Sequence, residues 1–221
     1  MTATQLLQAP RPANVIHRLT WEHFEELDRS LESFVGVKLS YLDGTAEIMP
    51  ISPEHEDFKS TLVRLLEAFM DEKEIRYYKR GGPSLGSREL GVRNEPDESY
   101  NFDAPKPAPD LVIEVVKTSG GINKLEGYRR LGVKEVWFWE DGVLEIHQLQ
   151  GDGYEKVEKS GLLAELPIDA FCRYIIYHDQ YEAVKEFKKL IRLNGIAESK
   201  YESVGSDLSG TPPKSPTREG L

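Results

Sequence analysis

An acid in the middle of an apolar strand is the feature of this sequence that most demands chemistry. Residues 109–116 read PDLVIEVV, a run of Leu, Val and Ile interrupted only by Glu114. Side chains alternate along a strand, so Asp110, Val112, Glu114 and Val116 share one face. Burying an unpaired carboxylate there costs several kcal/mol, so Glu114 needs a cation, a proton or a hydrogen-bond donor. A structural ion pair meets that need. So does a hard divalent cation such as Mg²⁺, which prefers carboxylate oxygens. A second acid, Asp97, follows a proline at the start of another predicted strand, PDESY. If the two strands are neighbours, Asp97 and Glu114 come within reach of one ion. Asp110 competes for this role, but on a regular strand it lies about 13 Å from Glu114. A lysine would complete the set, either offsetting charge on a phosphate or orienting and helping to deprotonate an attacking water. Lys117 is close in sequence but points away from Glu114 if the strand continues. Lys124 shares a predicted helix face with Tyr128 and Leu131. If those two pack on the sheet, Lys124 can reach over the strand end towards the acids.

The elements that must position these groups are legible as a mixed order of helices and strands. Thr20 caps a short helix with Trp21, Phe24 and Leu27 at helical spacing. VGVKLSYLDGTAEIMP reads as a hairpin turning at Asp43-Gly44. Ser52-Pro53-Glu54 opens a long helix, with serine as cap, proline in the first turn and acid near the positive helix end. Its apolar stripe is Phe58, Leu62, Leu65, Leu66 and Phe69. A strand is predicted over 75–80, followed by Gly-rich hairpin material to about 95. PDLVIEVV is apolar on both faces, as in a central strand covered on two sides. A helix over about 121–131, closed by Gly132, joins it to strands over 133–140 and 142–149. Trp137, Phe138 and Trp139 belong to the core, and 166–192 is helical in one or two pieces.

The segments LDGTAEIMPISPEHE, EPDESYNF, APDLVIEVV and KLEGYRRLGVKEVWFWEDGVLEIHQL, in this order and spacing, resemble the Uma-two-type putative restriction endonuclease family, which is abundant in cyanobacteria and lies within the PD-(D/E)XK nuclease superfamily. The resemblance spans about residues 19–175. It implies an α/β (α+β) fold: a restriction-endonuclease-like twisted mixed β-sheet flanked by helices. It further implies hydrolysis of DNA phosphodiester bonds with Mg²⁺ (or Mn²⁺), and a possible homodimer, because cutting two strands needs two sites. Carried over, the catalytic acids and metal ligands are Asp97 and Glu114. The lysine usual two residues after the second acid is absent, Val116 standing there, and Lys124 matches a lysine migrated to the next helix. Glu54 and His55 match the family's Pro-x-His helix start, where the acid can join the metal through water and the histidine can contact the scissile strand or serve packing. Asp110 is a further supporting candidate. The chain departs from the family after Glu114, where Val-Val-Lys-Thr-Ser-Gly-Gly replaces the polar or acidic residues often found there.

Composition bounds these expectations. A 221-residue chain with 39% hydrophobic residues suits one domain with tails. We expect a flexible lead over 1–14, a nuclease-like domain over 15–193 and a disordered tail over 194–221, where Ser, Gly, Pro and charge dominate. No apolar run approaches the roughly 20 residues that span a bilayer. The N-terminus lacks a secretory pattern, and the single Cys172 excludes an internal disulfide, so a cytoplasmic location is expected. A net charge of −10 counts against simple coating of nucleic acid. It also favours the alternative, a catalytically silent nuclease-like fold that binds nucleic acid or protein. The basic stretches 76–80 and 129–134 read as solvated surface. Neither Gly81-Gly82 nor Gly120-Gly121 has the pattern of a phosphate-cradling loop.

Overall fold

The hairpin anticipated around Asp43-Gly44 forms because both turn residues take positive φ, 44° and 83°, the geometry that matches the twist of paired strands. It joins β2 (Val37–Leu42) to β3 (Thr45–Pro50). The structure, a computed structural model, describes residues 14–116 and 122–206, with side chains in the last helix described through 193. Lys117, Gly120 and Gly121 lie outside the described residues, as do most of the expected lead and the end of the expected tail.

Cross-strand register gives the hairpin two unlike faces. Leu39 pairs with Ile48 and Tyr41 with Ala46. This apolar face packs against Phe24 of α1 (Trp21–Leu31), whose start is capped by the Thr20 hydroxyl accepting from the His23 N–H. The opposite face carries Lys38 beside Met49 and Ser40 beside Glu47. β1 (Asn14–His17) pairs with β3, while β5 (Leu85–Ser87) and β6 (Val92–Asn94) extend the other edge through β2. The result is a five-stranded antiparallel sheet in the order β1-β3-β2-β6-β5.

A second sheet has six strands in the order β11-β10-β9-β8-β7-β4. These are β4 (Tyr77–Lys79), β7 (Glu98–Phe102), β8 (Leu111–Val116), β9 (Glu135–Glu140), β10 (Val143–Gln150) and β11 (Gly153–Val157). All pairings are antiparallel except β8 with β9, which run parallel and are joined by α3 (Lys124–Leu131). This is the mixed sheet expected from the sequence; the five-stranded sheet comes in addition.

The core explains the two-sided apolarity of β8. On one face, Ile113 and Val115 join Trp137 and Trp139 beneath α2 (Pro53–Glu72), α4 (Ile168–Ile175) and α5 (Gln180–Ser206). Leu62, Leu65, Leu66 and Phe69 of α2 are fully buried there. On the other face, Val112 packs with Tyr128, Val133 and Val136 beneath α3. Burying a Leu or Phe side chain contributes roughly 1.5–3 kcal/mol, so these two layers dominate the stability of the sheet. α5 continues to Ser206, across the first part of the segment expected to be a disordered tail. Among the described residues, no helix is long and apolar enough to cross a membrane.

Candidate active site

The two candidate acids meet because of strand register. Glu98 of β7 pairs with Ile113 of β8, so one step further sets Asp97 opposite Glu114. The Asp97 N–H donates to the Ile113 carbonyl at 3.1 Å, and the Val115 N–H donates to Asp97 Oδ2 at 2.6 Å. Residues opposed across an antiparallel pair have Cβ atoms about 5 Å apart and share a face. Pro96 contributes by removing a donor just before the ladder begins.

Each acid then receives its own set of side chains. Asp97, with its side chain 1% exposed, accepts from Lys38 Nζ and pairs with His55 Nε2 at 3.0 Å. His55 is placed there by the start of α2: the Ser52 hydroxyl caps its N–H at 3.1 Å, and its Nδ1 lies 3.2 Å from Glu56 Oε1. Burial pushes the Asp97 carboxyl up, but the His55 hydrogen bond and the charges of Lys38 and His55 outweigh it, so the group stays well below the usual carboxylate range. Glu114, 2% exposed, accepts from Lys124 Nζ at 2.9 Å and from the Tyr128 hydroxyl at 2.5 Å. Burial opposes the charge of Lys124, yet the Glu114 carboxylate beside it, with help from Asp97 and Glu47, raises its pKa and keeps it a cation. Burial and the Glu114 charge together push the Tyr128 hydroxyl well up, so it remains a donor.

The helix that presents Lys124 and Tyr128 is fixed at both ends. Asn123 caps it by accepting from the Glu126 N–H, and Gly132 closes it at φ 73°. One turn in, Gly127 presses against β6: a Cβ there would meet Asn94 Nδ2 at 2.5 Å. Arg130 then ties the helix to the hairpin turn through Asp43 at 2.8 and 2.5 Å. Lys124 and Tyr128, four residues apart, thereby overlie the end of β8.

Beside this cluster lies a cavity of about 240 Å³, with Glu47, Asn123 and Lys124 at its polar margin and Met49, Ile122 and Phe138 among its apolar walls. Phe138 is half-buried and faces this cavity, whereas Trp137 and Trp139 on alternate positions are core. Oxygen-rich carboxylates of this kind suit a hard divalent ion and offer nothing to a soft one.

The family model described as Uma2, putative restriction endonuclease, matches residues 21–172, from the start of α1 into α4. The chain belongs to this family. Membership places it among nucleases as a general class. The chain is also similar to a solved structure, a putative nuclease belonging to DUF820 from Anabaena variabilis ATCC 29413, at 14% identity and a TM-score of 0.44, covering 75% of this chain and 98% of that one. No functionally curated protein matches.

Of the residues singled out in this Uma2 chain, Asp97, Glu114, Lys124 and His55 are brought into one cluster. Glu54 is an exposed residue in the first turn of α2. Asp110 sits at the far end of β8, where its carboxylate accepts from the Phe102 N–H at 3.0 Å, Lys106 at 2.6 Å and Lys134 at 2.9 Å. Burial works against it, but those donors bring its pKa down to about 2. Its bonds tie β7 and the 102–108 turn to the start of α3's exit, well apart from the Asp97 set. Two members of the neighbourhood were not singled out from sequence: half-buried Lys38 and buried Glu47. Glu47 carried the same anomaly as Glu114, an acid among Ala, Ile and Met, but only the register of the five-stranded sheet sets which way it faces.

Proposed function

We propose that this chain is a divalent-metal-dependent endonuclease that hydrolyses DNA phosphodiester bonds at the Asp97–Glu114 pair. The observation that supports it is the register of β7 and β8, which sets two buried carboxylates side by side with a lysine on each.

The donor set fits Mg²⁺ or Mn²⁺ in one particular form. Among the described residues no group of three or more His, Cys, Asp or Glu side chains could hold a metal ion, so an all-protein cage is not on offer. Mg²⁺ is commonly held by one or two carboxylates, with water and phosphate oxygens completing its octahedron. Asp97 and Glu114 match that form, and the ammonium groups already against them show that positive charge is accommodated at both. When bound, such an ion supplies Lewis-acid polarisation of a phosphate and a water of lowered pKa.

The protein's own groups divide the remaining work. Tyr128 holds one Glu114 oxygen by a hydrogen bond and so fixes the carboxylate's rotation. His55 and the Val115 N–H do the same for Asp97. Lys124 is held as a cation, which suits it to offsetting charge on a pentacoordinate phosphorus rather than to removing a proton from water. Asp110 is left with a structural role. A rival reading, a silent nuclease-like fold used for binding, draws on the ion pairs that already satisfy both acids.

Nicking of supercoiled plasmid by purified protein separates the two. Activity with Mg²⁺ or Mn²⁺, absent with EDTA and reduced about 10³-fold by Glu114→Ala, is the expected outcome. Cleavage that survives Glu114→Ala removes the assignment.

A further inference from the structure

Lys38 is the least expected member of the cluster. It comes from the five-stranded sheet, 59 residues before Asp97 in the chain, and crosses to an acid of the six-stranded sheet. Its side chain is 14% exposed and touches an Asp97 oxygen that faces neither His55 nor the Val115 N–H: Lys38 takes Oδ1, whereas the other two take Oδ2. The two Asp97 oxygens are thus divided. One is held by groups fixed in α2 and β8, the other by the end of a flexible four-carbon side chain.

Resting on the nuclease reading above, we propose that Lys38 is a positioning residue of the metal centre: its ammonium occupies the Asp97 oxygen that a divalent ion takes, and cedes it when the ion arrives. Three features support this. Oδ2 keeps His55 and the backbone N–H whether or not Oδ1 changes partner, so Asp97 stays aimed throughout. The Lys38 stem lies on the hairpin face that carries Ser40, Glu47 and Met49, so the displaced ammonium stays beside a second acid, Glu47. The division of labour also differs from that at Glu114, where Lys124 stands on a helix locked by Gly127 and Arg130. Lys124 is placed to stay; Lys38 is placed to move.

A resident cation that competes with the metal has an opposite signature from one that merely braces the site. Mn²⁺ alone, titrated calorimetrically into the full chain without DNA, reads it directly. Lys38→Gln is expected to bind Mn²⁺ about tenfold more tightly than the parent, because a like charge within contact distance of the ligand oxygen is gone. Lys38→Arg, which keeps the charge and guards against a variant that fails to fold, is expected to bind as the parent does. Mn²⁺ binding by Lys38→Gln that is equal to or weaker than the parent's overturns the proposal and leaves the nuclease reading standing. Tighter binding without plasmid cleavage by any form upholds Lys38 and removes the nuclease reading. No Mn²⁺ bound by the parent or either variant removes both.

Discussion

Two carboxylates buried in the same sheet, 21 positions apart on the parallel strands β8 and β9, are satisfied in opposite ways. Glu135 is fully buried and accepts from the Gly161 N–H at 2.6 Å, the Leu162 N–H at 3.1 Å, the Ser160 hydroxyl at 2.7 Å and Trp137 Nε1 at 3.0 Å. Two of these donors are backbone and none is a lysine or arginine. Among the described residues, Glu114 takes side-chain donors, Lys124 and Tyr128. A carboxylate clamped by main chain fastens the 160–163 loop to the sheet and can do little else. A carboxylate held by one side-chain donor on each oxygen keeps a lone pair on each that an ion or a substrate can share. Burial alone therefore does not single out a candidate acid; the kind of donor that holds it separates Glu114 from Glu135.

The sharpest way to break this contrast is to remove Glu135. Glu135→Ala leaves four donors without their acceptor, those of Trp137 and Ser160 buried and those of Gly161 and Leu162 part-buried, and backbone donors cannot be deleted with it. The expected cost is about 3–5 kcal/mol, seen as a fall in the urea midpoint with unchanged slope. A loss below about 1 kcal/mol would mean the loop is not anchored there.

Asp110 lies between the two extremes, with one backbone donor and two lysines. Its carboxyl is depressed in the fold to about 2, against about 3.9 in an unfolded chain. A depressed carboxyl contributes stability that is present above the unfolded value and is lost as pH falls through the folded one. Asp110→Asn is accordingly expected to lose about 2 kcal/mol at neutral pH and little below pH 2. Denaturation midpoints of parent and variant should converge as pH falls from about 4 to about 2.

The smallest expected change in stability belongs to the candidate site. Replacing both partners of a buried pair with neutral groups of similar shape is often neutral or stabilising, by roughly 1–4 kcal/mol. Glu114→Gln combined with Lys124→Met should stay within about 1 kcal/mol of the parent or exceed it. The single Glu114→Gln should cost more than the double, because it strands the Lys124 charge. Chemical denaturation of all four forms gives the coupling.

How much of this was legible in the sequence depends on how local the cause was. Thr20, Ser52 and Gly132 act within one helical turn, and their caps stand where the sequence places them. Asp43-Gly44 fixes its own hairpin. PDLVIEVV announced a strand covered on both faces because both its faces are apolar. β11 went unread because Gly153–Val157 is an edge strand with little apolar content, so periodicity had nothing to register. β1 escaped for a similar reason, its residues being mostly exposed. The division into two sheets follows from hydrogen bonds between distant segments, which no local pattern encodes. Lys38 and Glu47 fall in the same gap: each sits on a strand whose facing direction is set by the register with β2 and β3 and by what the other sheet brings opposite. Lys124 was approachable from sequence because Tyr128, one turn on, is apolar enough to demand burial and so dictates which way the helix faces.

The central claim is that Glu114 is a working acid and Asp110, just before the same strand, is a structural one. Cleavage of supercoiled plasmid in Mg²⁺ by Glu114→Gln and Asp110→Asn, each normalised to its folded fraction, tests it most directly. The account predicts a loss of about 10³-fold for Glu114→Gln and a rate within about threefold of the parent for Asp110→Asn. Equal losses in both, or a Glu114→Gln protein that still cuts at the parent rate, would contradict it.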